Sequence, residues 1–218
     1  EEHYPGTPFM DVIEADHLSK SFGPVTAVDD VSIQVEEEGI FGFLGPNGAG
    51  KTTTIRLLTG ILTPDTGRVR IGGIDIHGDP LAAKLKMGVI PENSTVYGDM
   101  TAEQNVLWAA KFYGMDRATR ERRAKEILGR MGLGDRKGGM VRTFSKGMRQ
   151  RVSIACAIVH MPEILILDEP TIGLDPKQVV EVRHLIKSLG GERTVILSTH
   201  ILPEVGQTCS RVLIINEG

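Results

Sequence analysis

The chain has 218 residues, enough for one large domain or two small ones, with an ordinary hydrophobic fraction of 40% and charged fraction of 24%. Its net charge of −3 gives no reason to expect nucleic-acid binding, and no apolar run approaches the ~18 residues of a membrane span. Cys156 and Cys209 lie in apolar stretches. We expect buried free thiols in a reducing compartment, with a disulfide or metal pair as the alternative.

The chain begins with a predicted leader and two strands. Glu1 to Phe9 has neither the basic start nor the apolar core of a signal peptide, so we expect a loose leader. Asp11 to Ser19 alternates loosely and predicts an edge strand, whereas Val28 to Val35 alternates more strictly and predicts a second strand. Between them, Phe22-Gly23-Pro24 is typical of a turn.

The stretch from Gly45 to Thr52, Gly-Pro-Asn-Gly-Ala-Gly-Lys-Thr, matches the phosphate-binding pattern G-x-x-x-x-G-K-[ST], the P-loop. The apolar run Ile40 to Leu44 precedes it and predicts a buried strand, and Thr52 to Leu62 follows with the apolar spacing of a helix. Strand, glycine-rich loop and helix form the context that this motif requires. A glycine-rich turn with an unrelated lysine is the alternative, and it explains neither flank.

The chemistry of the loop explains its residue types. Gly45, Gly48 and Gly50 let the backbone wrap closely around an anion, and N–H groups at the helix start can point at phosphate oxygens. In this motif Lys51 reaches the β- and γ-phosphates, and the Thr52 hydroxyl holds Mg²⁺. The predicted nucleotide-binding residues of the loop are Asn47, Gly48, Ala49, Gly50, Lys51, Thr52 and Thr53.

Helices dominate the middle of the chain. Arg68 to Ile71 and Met87 to Ile90 predict strands separated by a short helix, Pro80 to Lys86. From Thr101 to His160 the pattern is almost wholly helical. Three helices are predicted there: one from Thr101, whose capping box includes Gln104, to Tyr113; one from Asp116 to Met131, rich in Arg and Lys; and one capped by Ser145.

The strand pattern returns after Pro162. Strands are predicted at Ile164 to Leu167, Thr194 to Leu197 and Arg211 to Ile215, and helices at Pro176 to Leu189, capped by Asp175, and Ile201 to Thr208. Strands that are continuous apolar runs and alternate with helices indicate a parallel sheet covered on both faces. The sequence therefore predicts an α/β fold.

Two carboxylates, Asp168 and Glu169, end the apolar strand that begins at Ile164. Because removing charge from water is costly, two acids at the end of a buried strand suggest a function. Beside the P-loop, Asp168 can lie in the second coordination sphere of Mg²⁺. Glu169 can orient and polarise the water that attacks the γ-phosphate. The alternative is a strand that merely ends in an acidic turn.

Taken in order from Asp11 to Gly218, the motifs resemble those of the nucleotide-binding subunits of ABC transporters. The P-loop and the strand-end acids occur in that family's order, and other positions match as well. These are Phe22, at the aromatic that stacks on adenine; Glu92, at the loop that senses Mg²⁺ and the membrane partner; Phe144 to Met148, at the signature motif; Gly173 to Pro176, at the loop crossing between subunits; and His200, at the switch histidine.

The signature and the Glu92 loop depart from the usual family pattern. The signature is usually Leu-Ser-Gly-Gly-Gln, whereas this chain has Phe144-Ser-Lys-Gly-Met148. Ser145 and Gly147 remain, which keeps a hydroxyl cap and an open backbone for a γ-phosphate. Glu92 replaces the usual Gln, and its carboxylate can still ligate Mg²⁺. Both departures resemble the branch that serves two-component exporters of the drug, sodium or polysaccharide type.

The resemblance implies a fold and an activity. The expected fold has a P-loop NTPase parallel-sheet core with an N-terminal antiparallel β region (core residues 1–91 and 161–218) and an inserted helical subdomain (residues 92–160). The expected activity is ATP hydrolysis that powers transport through a separate transmembrane permease. ATP and Mg²⁺ would be bound with Thr52, Glu92 and Asp168 at the metal, and Lys51, Glu169 and His200 would act in catalysis.

The resemblance also implies partners and a location. Two such chains, here a homodimer, would sandwich ATP between one chain's P-loop and the other's Ser145 and Gly147, with Asp175 at the dimer contact. The chain would lie in the cytoplasm on the inner face of the cell membrane, with the permease docking near Tyr97 to Met100. No nucleic-acid partner is expected, and a solvated surface is the interpretation we favour for the basic helix from Asp116 to Met131.

For several of these residues, the sequence also allows an ordinary structural explanation. Phe22 could be a core residue, Asp175 only a helix cap, and His200 an ordinary loop histidine. Trp108 and Tyr97 are expected to be packing or surface residues. For the whole chain, the alternative is a soluble ABC-type ATPase of DNA repair or translation. A nucleotide sensor that does not hydrolyse ATP would be expected to lack Lys51 or Glu169.

Overall fold

The computed structural model describes residues 11–93 and 96–216 and confirms the predicted α/β class. The predicted leader, Glu1 to Phe9, lies outside the described residues. The strands are β1 (Asp11–Phe22), β2 (Val25–Glu36), β3 (Gly39–Leu44), β4 (Thr66–Ile71), β5 (Ile74–Asp75), β6 (Met87–Ile90), β7 (Ile164–Asp168), β8 (Thr194–Thr199) and β9 (Arg211–Ile214). The α-helices are α1 (Lys51–Leu58), α2 (Pro80–Leu85), α3 (Ala102–Phe112), α4 (Arg117–Arg130), α5 (Lys146–Ile158), α6 (Pro176–Gly190) and α7 (Leu202–Thr208).

The first sheet is antiparallel, in the order β2-β1-β4-β5. The prediction that the first strand lies at an edge is wrong, because β1 pairs with β2 on one side and with β4 on the other. Its alternation is loose for a local reason. The register shifts between Ala15 and Leu18, where His17 has a φ of 49°, so the strand bulges and its period-2 pattern is interrupted.

The second sheet is parallel, in the order β6-β7-β8-β3-β9. Every residue of β7 and β8 is buried, as expected for central strands covered on both faces. Leu44 lies opposite Thr199, and Asp168 lies opposite Ser198. The segments that follow β3, β7 and β8 therefore leave the sheet at the same edge.

Helices α3, α4 and α5 pack against one another in the segment predicted to form the helical subdomain. The predicted caps at Thr101 and Ser145 are confirmed, because each accepts a backbone N–H bond in the first turn, and Thr101 forms the complete capping box with Gln104. Asp116, predicted as the first residue of its helix, is instead the N-cap of α4. Helix α1 is shorter than predicted. It ends at Leu58 because Gly60 takes a φ of 64°, which turns the chain out of the helix.

Both cysteines are free thiols, as predicted, but each is partly rather than fully buried. Burial raises the pKa of Cys156 to about 12 and is the main cause that raises the pKa of Cys209 to about 11. Neither side chain is therefore a thiolate at neutral pH. Within residues 11–93 and 96–216, every helix is too short or too polar to cross a membrane.

A partly buried histidine joins the helical segment to the parallel sheet. The His160 ring stacks on Tyr113, with 3.5 Å between ring centroids and 11° between ring planes. Its Nε2 atom lies 3.2 Å from the carbonyl oxygen of Met87, at the start of β6. Desolvation is the main cause that lowers the pKa of His160 from 6.5 to about 4, and the positive charge of Arg193 lowers it further.

This pKa predicts acid sensitivity above the range of carboxyl titration. The unfolded chain protonates His160 near pH 6.5, whereas the folded chain resists protonation down to about pH 4. Its contribution is therefore fully present above pH 6.5 and is lost as pH falls from 6.5 to 4. Denaturant unfolding at pH 7 and pH 5 should show this loss, and His160→Phe, which keeps an aromatic ring against Tyr113, should reduce it. His184→Phe, at an exposed histidine, is the control; an equal pH dependence in all three proteins would contradict the prediction.

Candidate active site

The loop between β3 and α1 has the backbone of an anion site. Gly48 and Gly50 have φ angles of 86° and 98°, a region that favours glycine. Gly50 is the N-cap of α1 and supplies no side-chain hydrogen bond, so the first amides of α1 remain available to a ligand. Gly45 is required for another reason: a Cβ there would lie 2.2 Å from the carbonyl oxygen of Ile215.

Lys51 is folded into the loop and is only 5% exposed. Its ammonium group donates to the carbonyl oxygens of Gly45 at 2.8 Å and Pro46 at 3.0 Å. The same nitrogen lies 3.6 Å from Oε1 of Glu169. A buried cation needs such partners, and these hold the charge at the floor of the loop.

The acids that follow β7 are tied to β8 through Ser198. The Ser198 hydroxyl donates to Oδ1 of Asp168 at 2.5 Å and accepts the backbone N–H of Glu169 at 2.9 Å. Glu169 itself has a φ of 49°, which is unusual for a residue with a side chain. Such a conformation costs free energy and is common at functional sites, where surrounding contacts maintain it.

The Glu169 side chain has one paired and one unpaired oxygen. Oε2 lies 3.0 Å from Nδ1 of His200, which follows β8. Oε1 is buried and has no hydrogen-bond partner among the described residues, although Lys51 lies 3.6 Å away. An unsatisfied carboxylate oxygen is costly unless something binds to it, so this atom is a strong candidate to accept a proton or hydrogen bond from a bound water.

A cavity of about 290 Å³ brings most of the predicted site residues together. Glu92 and Glu169, which follow β6 and β7, line it together with residues of the P-loop. A second cavity of about 370 Å³ adjoins these two acids and is lined on its other side by Lys146 and Arg149. The first cavity is lined by Ala27, Asn47, Gly48, Gly50, Lys51, Thr52, Thr53, Glu92, Glu169 and Ile172.

The structure leaves Phe22 outside this cavity. Its ring is at the end of β1, is 49% exposed, and lies 5.9 Å from the ammonium group of Lys20. It is therefore not a core residue. The ring belongs to the same hairpin as Ala27, which does line the cavity. Ala49, also predicted to bind nucleotide, is only 4% exposed within the loop and is not among the lining residues.

The predicted signature residues Ser145 and Gly147 and the crossover residue Asp175 make their contacts away from the P-loop. The exposed Ser145 side chain caps α5 by accepting from the Met148 N–H at 3.2 Å, and Asp175 caps α6. The Gly147 N–H donates to Oε1 of Gln178 at 3.0 Å. These residues lie outside the P-loop cavity of their own chain.

Sequence reasoning missed several residues around the site. No sequence motif assigns a role to Ser198, and the link from Gly147 to Gln178 spans 31 positions. Thr171 and Glu204 form a buried contact beside Glu169 that no motif marks. A signal was present for Ser198, because it lies in the apolar strand before His200. Nothing in the local sequence distinguishes Glu204 from a surface glutamate.

The strand–loop–helix with its buried lysine, together with the acids at the end of β7, two strands away in the same parallel sheet, defines a P-loop nucleotide-binding protein. The sequence pattern of the family described as ABC transporter matches residues 28–172. The bacitracin transport ATP-binding protein BcrA of Bacillus licheniformis is 42% identical over 209 residues, covering 95% of this chain and 67% of that protein. The linearmycin resistance ATP-binding protein LnrL of Bacillus subtilis is 37% identical over 208 residues, with the same coverage.

Solved structures agree with these relatives. A structure described as the ATP binding subunit of an ABC transporter is 32% identical, has a TM-score of 0.84, and matches over 95% of this chain and 87% of that one. The cbiO1 structure from Clostridium perfringens, part of the ABC transporter complex cbiONQ, is 26% identical with a TM-score of 0.87, covering 95% of this chain and 86% of its own.

This chain belongs to the ABC transporter family and is an ATP-binding subunit of that family. The predicted activity, ATP hydrolysis coupled to transport, is confirmed at the level of the family. The resemblance to exporter subunits is confirmed as well. The alternative class, a soluble ATPase of DNA repair or translation, has no support among these transport and resistance proteins. The roles of individual residues remain predictions.

The geometry of Lys51 predicts its effect on nucleotide binding. Lys51→Ala removes the cation held between the loop carbonyls and Glu169. We expect ATPase activity to be abolished and ATP affinity to fall at least about tenfold, because a charge-assisted contact to phosphate is lost. Equilibrium binding of a fluorescent ATP analogue measures this effect. Lys125→Ala, at an exposed lysine of α4, should bind like the wild type; hydrolysis at the wild-type rate by Lys51→Ala would remove the P-loop assignment.

Proposed function

We propose that this chain hydrolyses ATP with Glu169 as general base, at a site shared between two copies of the chain, and thereby drives export through a separate membrane subunit. The observation that carries the proposal is the buried Oε1 atom of Glu169, which has no hydrogen-bond partner among the described residues and faces Lys51 in the P-loop cavity. Such an atom can accept a proton from a water placed between the carboxylate and a γ-phosphate.

In this mechanism each residue has a separate task. The amides of the loop and of α1 cradle the phosphates, and Lys51 moves its donors from loop carbonyls to phosphate oxygens. Glu169 accepts the proton of the attacking water at Oε1. His200, bound to Oε2, keeps the carboxylate oriented and can extend its other ring nitrogen toward the γ-phosphate.

The residues present also suit Mg²⁺. Mg²⁺ prefers one or two protein carboxylates together with hydroxyl, water and phosphate oxygens. Thr52 and Glu92 line the same cavity, and Asp168 lies at the adjoining strand end. When bound with ATP, Mg²⁺ neutralises charge that develops on the phosphates. We assign Thr52, Glu92 and Asp168 to hold Mg²⁺, with Asp168 in the second coordination sphere of the metal.

The exposed Phe22 ring is proposed to stack on adenine. Half of its surface is accessible, and its hairpin reaches the cavity through Ala27. A flat apolar ring beside a phosphate site can bind a base through its π-face without requiring a hydrogen-bond pattern.

The second half of the site is proposed to come from another copy of the chain. Ser145, Gly147 and Asp175 lie outside the P-loop cavity of their own chain, yet Ser145 and Asp175 are exposed. A second chain placed head to tail brings the N-terminus of its α5, with the Ser145 hydroxyl, to the γ-phosphate. Both ATP molecules are then enclosed between the two chains.

The permease is proposed to dock beside α3. A cavity of about 480 Å³ lies between α3 and α4 and is lined by Asp99, Met100, Trp108 and neighbouring residues. The Tyr97 backbone is held at its border by the buried Asn105, through bonds of 2.8 and 3.0 Å. The groove combines the apolar side chains of Met100, Leu107 and Trp108 with charged residues of α3 and α4, and such a surface suits an amphipathic cytoplasmic helix of a membrane subunit. This docking places the chain on the cytoplasmic face of the membrane.

Replacing the proposed base tests the chemistry. Glu169→Gln keeps the size of the side chain and its contact with His200 but removes the charge that accepts the proton. Turnover should fall at least about tenfold, or 1.4 kcal/mol of barrier, while ATP affinity stays within about twofold. Single-turnover hydrolysis and equilibrium binding measure the two effects. Glu37→Gln, at an exposed glutamate, is the matched control; a smaller loss of turnover means that Glu169 is not the catalytic carboxylate.

Mixing two inactive variants tests the shared site. Lys51→Ala destroys a P-loop, and Ser145→Arg blocks the N-terminus of α5 with a bulky cation. A mixed dimer pairs the intact P-loop of one chain with the intact α5 of the other, so one complete site is restored. We therefore expect ATPase activity to recover partly on mixing.

The control mixture combines Lys51→Ala with Glu169→Gln. Both changes affect the same half of the site, so no mixed dimer contains a complete site and no recovery is expected. Light scattering of Glu169→Gln with saturating ATP tests dimer formation directly. A protein that stays monomeric at every accessible concentration contradicts the shared site for this isolated chain.

A further inference from the structure

Glu204, on α7, is a buried carboxylate that no motif accounts for. Glu204 is only 7% exposed. The Thr171 hydroxyl lies 2.8 Å from Oε1 and 2.9 Å from Oε2, and the Thr199 hydroxyl donates to Oε2 at 2.9 Å. Both threonines are themselves buried. A buried carboxylate is costly unless hydrogen-bond donors surround it. The two threonine hydroxyls supply those donors, which indicates that the cluster has a structural or functional role.

The two threonines belong to the two segments that carry the catalytic pair. Thr171 is two positions after Glu169, and Thr199 immediately precedes His200. The strands before them, β7 and β8, are neighbours, but their hydrogen-bonded register ends at Asp168 and Ser198. Beyond that point the strand ladder no longer fixes the distance between the segments. The Glu204 carboxylate bridges them where the ladder stops.

Glu204 does not reach the cavity. It is not among the residues that line the P-loop cavity or the adjoining one. Its contacts are with hydroxyls behind the catalytic pair, and Thr199 also accepts the N–H of Ile201 at the start of α7. Any effect of Glu204 on hydrolysis must therefore pass through the position of Glu169 and His200.

We infer that Glu204 is a positioning residue that fixes the segment after β7 to the segment after β8, and so holds the Glu169–His200 contact in its catalytic geometry. The inference rests on the proposed roles of Glu169 and His200. Because the bridge acts on the water-activating pair and not on the phosphate loop, its loss changes turnover rather than ATP affinity.

Two substitutions at this position separate positioning from charge. Glu204→Ala removes the bridge, and we expect kcat to fall at least about tenfold while the ATP Kd stays within about twofold. Glu204→Gln keeps the shape, accepting from one hydroxyl and donating to the other, so its kcat should stay within about threefold of the wild type. The two values are measured as kcat from steady-state hydrolysis and Kd from equilibrium binding.

Val205→Ala is the matched structural control. Val205 is buried on the same helix and packs against Gly42 of β3, and its aliphatic side chain cannot form a hydrogen bond with either hydroxyl. It should lower thermal stability without lowering kcat per folded molecule. If Glu204→Ala loses no more kcat than Val205→Ala, Glu204 merely stabilises α7 and the inference is overturned.

An isosteric change tests the route of the effect. Thr171→Val removes one hydroxyl and keeps the volume of the side chain. If Glu204 acts through Thr171, the double variant Thr171→Val with Glu204→Ala should turn over no more slowly than the slower single variant. Independent, multiplicative losses would overturn the proposed bridge.

Glu169→Gln, measured in parallel, separates this inference from the proposed function. Full turnover by Glu169→Gln means that the proposed base is wrong, and the positioning role falls with it. Loss of turnover in Glu169→Gln together with normal kcat in Glu204→Ala overturns the positioning role alone. Loss in both, with partial rescue by Glu204→Gln, is the result expected.

Discussion

The candidate site depends on the parallel register of β7, β8 and β3. In that register Asp168 lies opposite Ser198, and Leu44 lies opposite Thr199. Because parallel strands end at a common edge, the phosphate loop, the acids and His200 leave the sheet side by side although they are far apart in the chain. A shift of one residue in β7 would move its side chains to the opposite face and separate Asp168 from Ser198.

The second constraint is the balance of buried charge around Glu169. Lys51, Glu169 and the Asp168 carboxylate are all at least nine-tenths buried, so each must be compensated within the protein. Loop carbonyls hold Lys51, Ser198 holds Asp168, and His200 holds one oxygen of Glu169. The remaining oxygen of Glu169 has no hydrogen-bond partner within residues 11–93 and 96–216 and lies at the cavity. Preorganised charge of this kind is what a hydrolytic site needs, because little rearrangement accompanies the reaction.

The strand β1 shows where the sequence pattern misleads. Its alternation is interrupted by the bulge at His17, and a weak alternation resembles an edge strand. Its central position follows from pairing with β4, whose residues lie about fifty positions later in the chain. Gly45 gives a similar lesson. The motif explains its presence by phosphate binding, whereas in the structure the carbonyl of Ile215 leaves no space for a side chain.

The sequence by itself determined the features that depend on near neighbours in the chain. The P-loop motif and the helix caps at Thr101, Ser145 and Asp175 involve residues within a few positions of each other, so local patterns were sufficient to predict them. The apolar runs likewise determined the α/β class. Only the tertiary structure decided the order of the strands, the contact between Glu169 and His200, and the bridge from Glu204 to both catalytic segments. These features require residues from separate parts of the chain to meet, and which of them meet is set by the packing of the whole sheet rather than by any local pattern.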